Sequence, residues 1–244
     1  MILVTGATGY IGRHVVQRLL EGGFPVRCLI GAQTRQPKTL PWEDNENQPE
    51  VIVASLLDDE ALFRAVTGVH AIIHLESAQW WGRLRDLERV ELVGTRNLIN
   101  VARSARVGRM IVLSHLGAAP SSAFTLMRIK GALEEIVRGS GLAYTIIRSG
   151  LVYGPDDAFI NHIAMLLSLN PFFFLMPGRG EIILHPIYID DLVEAVFRSL
   201  DLIDTVDETI DIGGMEYTTL EDMIQTIMRV TGMQRVGLPA APYL

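Results

Sequence analysis

Six short apolar runs, each bounded by glycine, proline or polar residues, divide the first part of the chain. Within a run, Val, Ile and Leu follow one another without alternating with polar residues, which is typical of strands that are covered on both faces of a parallel sheet. The pattern therefore predicts six buried parallel strands. They cover residues 1–5, 25–30, 51–54, 71–75, 109–114 and 143–148.

Amphipathic stretches between these runs predict helices over residues 10–22, 58–67, 85–106 and 122–139. The last two end close to glycine, the residue type that most often ends a helix. Strand and helix thus alternate along the chain. This alternation predicts an α/β fold, a doubly wound parallel sheet whose ligand lies at the carboxyl ends of the strands.

One long polar stretch interrupts the alternation. Residues 32–50 contain three prolines and show no periodicity, so we expect a loop there. It follows the second predicted strand, beside which the adenosine end of a cofactor would lie.

Composition narrows the classes of function. With 244 residues, 49% of them hydrophobic, the chain can bury one large core. The formal charge of -7 comes from dispersed acids, so we expect no nucleic-acid partner. A single cysteine, Cys28, excludes an internal disulfide and a thiolate metal site and indicates a buried thiol in a reducing compartment. We expect no metal.

No segment has the pattern of a membrane span or a signal peptide. The most membrane-like stretch, residues 163–177, is interrupted by Asn170 and Pro171 and is shorter than the roughly 20 residues that a span requires. Met1 leads directly into an apolar run without a basic segment, so we expect a cytoplasmic protein.

The sequence "VTGATGYIGRHVV" places three glycines, Gly6, Gly9 and Gly12, between the first predicted strand and the first predicted helix. Such a turn can hold a diphosphate, because free backbone N–H groups and the helix dipole face the anion and no side chain blocks its approach. Gly6 permits the tight turn, Gly9 lets phosphate come near, and Gly12 lets the helix pack against the sheet. We therefore predict a dinucleotide site.

The glycine turn and five later segments together resemble the short-chain dehydrogenase/reductase superfamily, in its extended or atypical branch, which includes NAD-dependent epimerases and dehydratases, NmrA-like redox sensors and a nucleotide-holding accessory subunit of respiratory complex I. In chain order the five segments are "SLLDDEALFRAVTGVHAIIHLE", "VELVGTRNLINVAR", "IRSGLVYGP", "HPIYIDDLVEAV" and "IDIGGMEYTTLEDMI". The resemblance covers nearly the whole chain but does not identify a member of the superfamily.

The resemblance implies a domain organisation and a set of cofactor ligands. We expect a Rossmann-type core over residues 1–155 and a small C-terminal substrate lobe over 156–244, interleaved with a late strand and helix of the core. The lobe ends abruptly for this branch, so we expect part of it to be absent. The implied cofactor-binding residues are Gly6, Thr8, Gly9, Tyr10, Ile11, Gly12, Arg13, Arg35, Ser55, Leu56, Leu75, Glu76, Ser114 and Lys130.

The end of the second predicted strand bears on the choice between NADP and NAD. An acid there would bond the ribose 2'-hydroxyl of NAD, whereas a cation would favour the 2'-phosphate of NADP. The strand ends in Ile30 and Gly31, and the first acid after it is Glu43, whereas Arg13 and Arg35 are close in sequence to the expected site. We therefore expect NADP, with NAD as the alternative and surface arginines as the plainer interpretation.

The resemblance also implies a catalytic tyrosine four residues before a lysine, on one face of a helix. In "LMRIK" Lys130 stands at the lysine position, but Leu126 occupies that of the tyrosine. Leucine cannot donate a proton. Lys130 can still bridge the ribose hydroxyls of a nicotinamide nucleotide; the alternative is a solvated lysine on the helix surface.

Three other side chains are candidates for catalysis. Ser114 stands where the superfamily has its orienting hydroxyl, and it can also cap the strand end. The ordinary pKa of His115 suits acid–base work, although a lone histidine is more often packed or solvated. Glu76 can have a raised pKa and act as an acid; the plainer interpretation turns it toward water or pairs it with an arginine.

Outside this group we expect packing or capping roles. Tyr153 and Tyr188 are predicted to pack with their hydroxyls tethered, and Asp190 and Asp191 to cap the helix that follows. Trp80 and Trp81, with residues 163–177, flank the expected substrate region. They are candidates for binding a small apolar substrate or a protein partner, and core packing is the alternative.

Two functions remain open at this point. The first is a module that holds NADP(H) without turning it over, as a sensor, scaffold or assembly module. The second is an NADP-dependent reductase or epimerase of a small apolar carbonyl compound, with His115, Glu76 or water in place of the tyrosine. A structural role without a nucleotide would require an empty glycine turn. The missing tyrosine favours the first.

Overall fold

The computed structural model describes residues 1–31, 42, 47–77 and 83–241. The chain forms two compact units, and it alternates between them. The first unit contains Met1–Ser149 and Asp190–Ile212, and the second contains Gly150–Ile189 and Gly213–Leu244.

The strands of the described residues include the six that the apolar runs predict, but the run at residues 51–54 forms a largely exposed strand at the edge of the sheet instead of a buried one. They are β1 (Ile2–Thr5), β2 (Val26–Ile30), β3 (Glu50–Val53), β4 (Ala71–His74), β5 (Arg109–His115), β6 (Tyr144–Ser149), β7 (Leu151–Tyr153), β8 (Phe173–Pro177), β9 (Ile183–Leu184), β10 (Pro186–Tyr188), β11 (Glu208–Ile212), β12 (Thr218–Thr219) and β13 (Val236–Ala240).

The helices lie between these strands. They are α1 (Tyr10–Glu21), α2 (Asp59–Val66), α3 (Leu84–Glu88), α4 (Thr95–Ser104), α5 (Thr125–Arg138), α6 (Ala158–Leu169), α7 (Ile189–Ser199) and α8 (Leu220–Thr231). As predicted, Asp190 and Asp191 lie in the first turn of α7. Among the described helices, none combines the length and the apolar character that crossing a bilayer demands.

The first unit is built on a seven-stranded sheet in the order β11, β6, β5, β4, β1, β2, β3. Every neighbouring pair in it is parallel. After β1 the chain winds to one side through β2 and β3 and then to the other through β4, β5 and β6, so the strand order reverses between β1 and β4. This confirms the predicted doubly wound α/β fold and places the expected ligand crevice at the carboxyl ends of β1 and β4.

Helix side chains cover the sheet and form its core. Leu3, Ile72 and Met110 of the sheet are fully buried against Leu62 and Leu98 of the helices. Each such side chain contributes about 1.5–3 kcal/mol through removal of apolar surface from water. Cys28 on β2 is also fully buried, and burial raises the pKa of its thiol to about 12, as expected of a packed and unreactive cysteine.

The helix predicted over residues 85–106 is present and its helical backbone runs without a gap, but its hydrogen-bond register changes in the middle. A π-helical turn, Arg89–Gly94, separates α3 from α4. Gly94 lies against the side chain of Leu56, whose Cβ would be 2.9 Å from an added Cβ. Such turns often occur at functional sites, and this one buries the carboxylate of Glu91.

The second unit contains three small two-stranded sheets, which pair β7 with β10, β8 with β13 and β9 with β12. Leu167 of α6 packs with Met176 of β8 and with Ile224 of α8 in its core. The rings of Tyr153 and Tyr188 meet edge to face, with their centroids 5.5 Å apart. This contact confirms that the two tyrosines pack, whereas the tethering of their hydroxyls stays a prediction.

Candidate functional site

The bend after β1 can be made only by glycine at its first position. Gly6 has a φ of +66° and lies against the segment that follows β4, so that an added Cβ would be 2.7 Å from the backbone nitrogen of Glu76 and from the carbonyl group of Leu75. Backbone therefore packs on backbone at the carboxyl ends of β1 and β4.

The start of α1 packs on the same bend. Gly9 is the N-cap residue, and its carbonyl oxygen accepts the N–H of Arg13 at 3.0 Å. The amides of Ile11 and Gly12 precede this first bond of the helix and lie at the positive end of its dipole. An added Cβ at Gly12 would be 2.0 Å from the carbonyl oxygen of Gly6. The bend therefore fits a diphosphate, which needs bare backbone and helix amides.

A pocket of about 400 Å³ opens beside this bend. Its lining residues come from the glycine bend, the start of α1, the segment after β4, and β5. They are Gly6, Thr8, Gly9, Tyr10, Ile11, Gly12, Leu75, Glu76, Ser77 and Leu113. A second pocket, of about 560 Å³, is lined by Glu21, Asp190, Asp191 and Glu194 among others. Its described lining residues also include Arg18 but no glycine, so it lacks the bare backbone that a diphosphate needs, and the glycine pocket is the dinucleotide candidate.

Thr5, the last residue of β1, holds the wall of the glycine pocket. Its hydroxyl oxygen accepts the N–H groups of Leu75 and Glu76, each at 3.2 Å, and lies 2.7 Å from Nδ1 of His74. The other ring nitrogen of His74 lies 3.0 Å from the hydroxyl of Thr95. Burial lowers the pKa of His74 to about 4, so this histidine is a neutral structural link at physiological pH.

Lys130 forms a buried ion pair. Its Nζ lies 2.8 Å from Oε2 of Glu91, and the two side chains are 5% and 0% exposed. The hydroxyl of Ser77, a pocket residue, donates to the other oxygen of this carboxylate. The interpretation of Lys130 as a solvated helix lysine is wrong, because Glu91 holds it in the interior.

Glu91 was not among the predicted site residues. The one signal that points to it is an acid between Val90 and Leu92 in a segment otherwise predicted as an amphipathic helix.

Ser114 belongs to a second buried network. Its hydroxyl donates to Glu134 at 2.6 Å, and Arg148 and Arg138 donate to the same carboxylate. Burial by itself would raise the pKa of Glu134, but the bonds from Arg148, Ser114 and Arg138 lower it below the ordinary value. Glu134 therefore remains charged and fixes the hydroxyl of Ser114.

The two remaining acid–base candidates differ in their protonation. Burial, and to a smaller extent the charge of Lys130, lower the pKa of His115 to about 4 against the opposite effect of Glu91. His115 is therefore neutral near pH 7. For Glu76, burial raises the pKa, the N–H of Gly6 donates to the carboxylate and lowers it, and Glu91 raises it again, with a net increase. Glu76 thus faces the glycine bend instead of pairing with an arginine.

The pocket brings together most of the residues predicted for the diphosphate end. Of the predicted cofactor-binding residues, its lining contains Gly6, Thr8, Gly9, Tyr10, Ile11, Gly12, Leu75 and Glu76. It does not contain Arg13, Ser55, Leu56, Ser114, His115 or Lys130.

The described residues among the other predicted ligands make contacts elsewhere. The guanidinium of Arg13 lies 5.4 Å from the ring centroid of Tyr10. Leu56 is buried in the core, and the Ser55 hydroxyl accepts the N–H of Leu57. Arg35, Trp80 and Trp81 lie outside the described residues.

A family model described as NAD(P)H-binding matches residues 6–160, more than half of the chain. This chain belongs to that NAD(P)H-binding family. The chain falls in the atypical, extended branch of the short-chain dehydrogenase/reductase superfamily, and its cofactor is a nicotinamide dinucleotide. The match begins at the first glycine of the bend, in agreement with the geometry of the pocket.

Two curated relatives and one solved structure show how the similarity is distributed. The chain is 29% identical over 236 residues to the photosystem II assembly factor Ycf39 of Cyanophora paradoxa, covering 95% of this chain and 68% of that protein. It is 32% identical over 171 residues to the ceramide reductase of Caulobacter vibrioides, covering 70% of this chain and 52% of that protein. It therefore spans only about half the length of the reductase.

The solved structure is the UDP-glucose 4-epimerase of Thermotoga maritima with UDP-glucose. It superposes with a TM-score of 0.84 at 23% identity, covering 99% of this chain and 85% of that chain. At this level of identity the comparison shows the fold alone.

Proposed function

We propose that this protein binds NADP(H) at the glycine bend and holds it without turnover. When bound, a nicotinamide coenzyme supplies or accepts a hydride, and the substrate needs a proton partner at the same time. The position four residues before Lys130 on α5 is occupied by Leu126, which has no proton to give. General acid–base catalysis is worth about 10²- to 10⁴-fold in rate, and this chain lacks the usual group for it.

The observation that carries this proposal is the ion pair between Lys130 and Glu91. A lysine that assists a catalytic tyrosine must present its ammonium group to the reacting site. Here the ammonium lies 2.8 Å from a fully buried carboxylate. Breaking such a pair leaves an uncompensated buried charge, so Lys130 stays with Glu91.

The other candidates are similarly engaged. Ser114 donates its proton to Glu134 at 2.6 Å, and His115, with its pKa lowered to about 4 by burial, is a poor proton donor near neutral pH. We therefore assign these two side chains to the structure of the site.

NADP is favoured over NAD by the charges around the end of β2 and the start of α1. The described end of β2, Ile30, and the next residue, Gly31, provide no carboxylate for a ribose 2'-hydroxyl. Arg13 directly follows Gly12 at the start of α1 and supplies a cation. This favours a ligand with a 2'-phosphate.

We expect tight binding of NADPH with negligible turnover. Titration calorimetry with NADPH and NADH should give saturable binding, and a broad panel of carbonyl compounds should cause no oxidation of bound NADPH above background. The variant Leu126→Tyr should remain inactive, because Lys130 is held by Glu91. Turnover by the unaltered protein, or a gain of about 10²-fold or more from Leu126→Tyr, would contradict the proposal.

A reductase is the second candidate, and the observation that favours it is Glu76. This carboxyl lines the pocket, and burial raises its pKa, which is the usual way to obtain a carboxylic acid donor. A relative named ceramide reductase is in line with it. The same carbonyl panel distinguishes the two candidates, since a reductase of this kind would oxidise NADPH and would lose that activity in Glu76→Gln.

An assembly role is favoured by the exposed apolar side chains of the second unit. Residues 158–177 contain no charged residue. Soluble monomers rarely expose extended apolar patches, and this segment itself offers no lysine or arginine to an anionic lipid surface. We therefore propose that this surface binds an apolar face of a protein partner, as the assembly-factor relative also suggests. The exposed side chains are Met165, Leu166, Leu169, Phe172 and Leu175, each at least half exposed.

We expect the partner surface to be disrupted by charge. The double variant Leu166→Glu with Leu169→Glu places two carboxylates on side chains that are 58% and 74% exposed, so the fold should tolerate them. In extracts of the source cells, native electrophoresis should show the wild type in a species larger than its monomer and the variant as monomer, with NADPH binding retained. Migration of the wild type as monomer would exclude this surface as a stable interface.

A further inference from the structure

The dinucleotide pocket contains a carboxylate at the place where the ligand carries a diphosphate. Among the described residues that line it, Glu76 is the one carboxylate, and none is a lysine, arginine or histidine. The carboxylate of Glu76 accepts the N–H of Gly6, the first residue of the glycine bend. It therefore engages a backbone N–H group of the bend that the diphosphate approaches.

Thr5 and Gly6 fix the backbone of Glu76 beside the bend. Its N–H donates to the hydroxyl of Thr5 at 3.2 Å. Gly6 packs so closely on it that an added Cβ at Gly6 would lie 2.7 Å from the backbone nitrogen of Glu76. Glu76 is thus held beside the bend both through its backbone N–H and through its carboxylate oxygens.

The neighbouring charged groups do not neutralise Glu76. Glu91, on the π-helical turn, is a second negative charge that acts on it, although Lys130 of α5 pairs with Glu91 at 2.8 Å. His74 at the end of β4 and His115 of β5 are neutral near pH 7, because burial lowers the pKa of each to about 4. Near the start of α1 the titratable groups are Tyr10, which lines the pocket, and Arg13 and His14; Arg18 and Glu21 follow further along the helix. Among the described residues, no lysine or arginine forms an ion pair with Glu76.

We propose that Glu76 selects ligands by charge at the dinucleotide site: its ionised form opposes the diphosphate, its neutral form admits it, and binding therefore takes up a proton. This inference rests on the proposed binding of the dinucleotide at the glycine bend. Like charges a few ångströms apart in a partly desolvated pocket repel each other much more strongly than in bulk water. Glu76 thus makes affinity depend on pH.

The direction of the pH dependence follows from linkage. The pKa of Glu76 in the free protein is already above its ordinary value, and a bound diphosphate raises it further. The complex therefore holds more protons than the free protein, and affinity falls as pH rises from the pKa of Glu76 in the free protein through its pKa in the complex. Without the carboxylate the affinity should be nearly independent of pH in this range.

The experiment uses ADP-ribose as the probe, since it keeps the diphosphate and lacks the nicotinamide and the 2'-phosphate, which titrates in the same range. Calorimetric titrations of the full chain between about pH 5.5 and pH 8.5 should show weaker binding with rising pH. Glu76→Gln keeps an acceptor for the N–H of Gly6 and should bind ADP-ribose about tenfold more tightly than the wild type near pH 8, with little pH dependence. Glu76→Ala should behave in the same way.

Two controls isolate the effect. Glu135→Gln removes the same charge from an exposed position on α5 and should leave both affinity and its pH dependence unchanged. Adenosine, which has no phosphate, should bind wild type and Glu76→Gln equally.

The outcomes separate this inference from the proposed function. Binding of ADP-ribose that is independent of pH and equal in wild type and Glu76→Gln would overturn the role of Glu76 and leave dinucleotide binding intact. Weaker binding by both folded variants at Glu76 would also overturn it. Absence of binding in the wild type and in both variants at every pH would overturn the dinucleotide site itself.

Discussion

Replacing Gly12 by alanine will destabilise the protein by about 3 kcal/mol and abolish dinucleotide binding. The added Cβ would lie 2.0 Å from the carbonyl oxygen of Gly6, 2.8 Å from its carbonyl carbon and 2.9 Å from Cα of Ala7. These are backbone atoms, which cannot rotate away as a side chain can. The start of α1 must therefore move off the bend, which separates the helix amides from the site of the diphosphate. Urea unfolding and calorimetry with NADPH measure the two effects.

Gly9→Ala is the matched control in the same bend. Its added Cβ would have one close neighbour, the carbonyl oxygen of Gly6 at 3.2 Å, and Gly9 is exposed. We expect a change of less than about 1 kcal/mol in the free energy of unfolding, but a large loss of NADPH affinity, since the methyl group stands where phosphate approaches. Equal stability losses in the two variants would mean that the packing of α1 on the bend is not specific to Gly12. Unchanged NADPH binding in both would exclude the bend as the diphosphate site.

Lys130→Met will destabilise the protein by about 3–5 kcal/mol. The substitution removes the ammonium from a carboxylate that is completely buried, so Glu91 is left with the hydroxyl of Ser77 and without a compensating charge. The double variant Lys130→Met with Glu91→Gln should recover most of this loss, because both charges are then absent. Urea unfolding of the four proteins in this cycle gives the coupling energy between the two side chains.

Arg198→Met provides the comparison for an exposed ion pair. Arg198 lies 2.7 Å from Glu194 on the same helix, one turn apart, and is 68% exposed. Solvent screens this pair, and we expect its loss to leave the free energy of unfolding nearly unchanged. A coupling energy between Lys130 and Glu91 as small as this would show that the buried pair does not hold the lysine, and the argument against a catalytic Lys130 would lose its basis.

The prediction for Lys130→Met bears directly on function. Lys130 would be available to a tyrosine or to ribose hydroxyls only if Glu91 released it. The pair links the π-helical turn to α5, and the hydroxyl of Ser77 attaches the pocket wall to the same carboxylate. A strong coupling would therefore mean that the atypical branch represented here uses its lysine to support the pocket.

The sequence by itself determined the sheet and the glycine bend. Continuous runs of Val, Ile and Leu require burial on both faces, and the regular alternation with helices leaves a doubly wound sheet as the arrangement that provides it. The role of the three glycines could likewise be predicted from local sequence, since the strand, the turn and the helix start are neighbours in the chain. For the same reason most of the pocket residues of the bend could be predicted without a structure.

Only the tertiary structure decided the states of the charged side chains. Lys130 and Glu91 are 39 residues apart in sequence, and Glu76 meets Gly6 because β4 lies beside β1 in the sheet. Hydrophobic periodicity indicates which face of an element is buried, but it does not name the partner across the interface. The π-helical turn at Arg89–Gly94 belongs to the same class, because its Glu91 pairs with Lys130 of α5 and its Gly94 lies against Leu56, both distant in sequence.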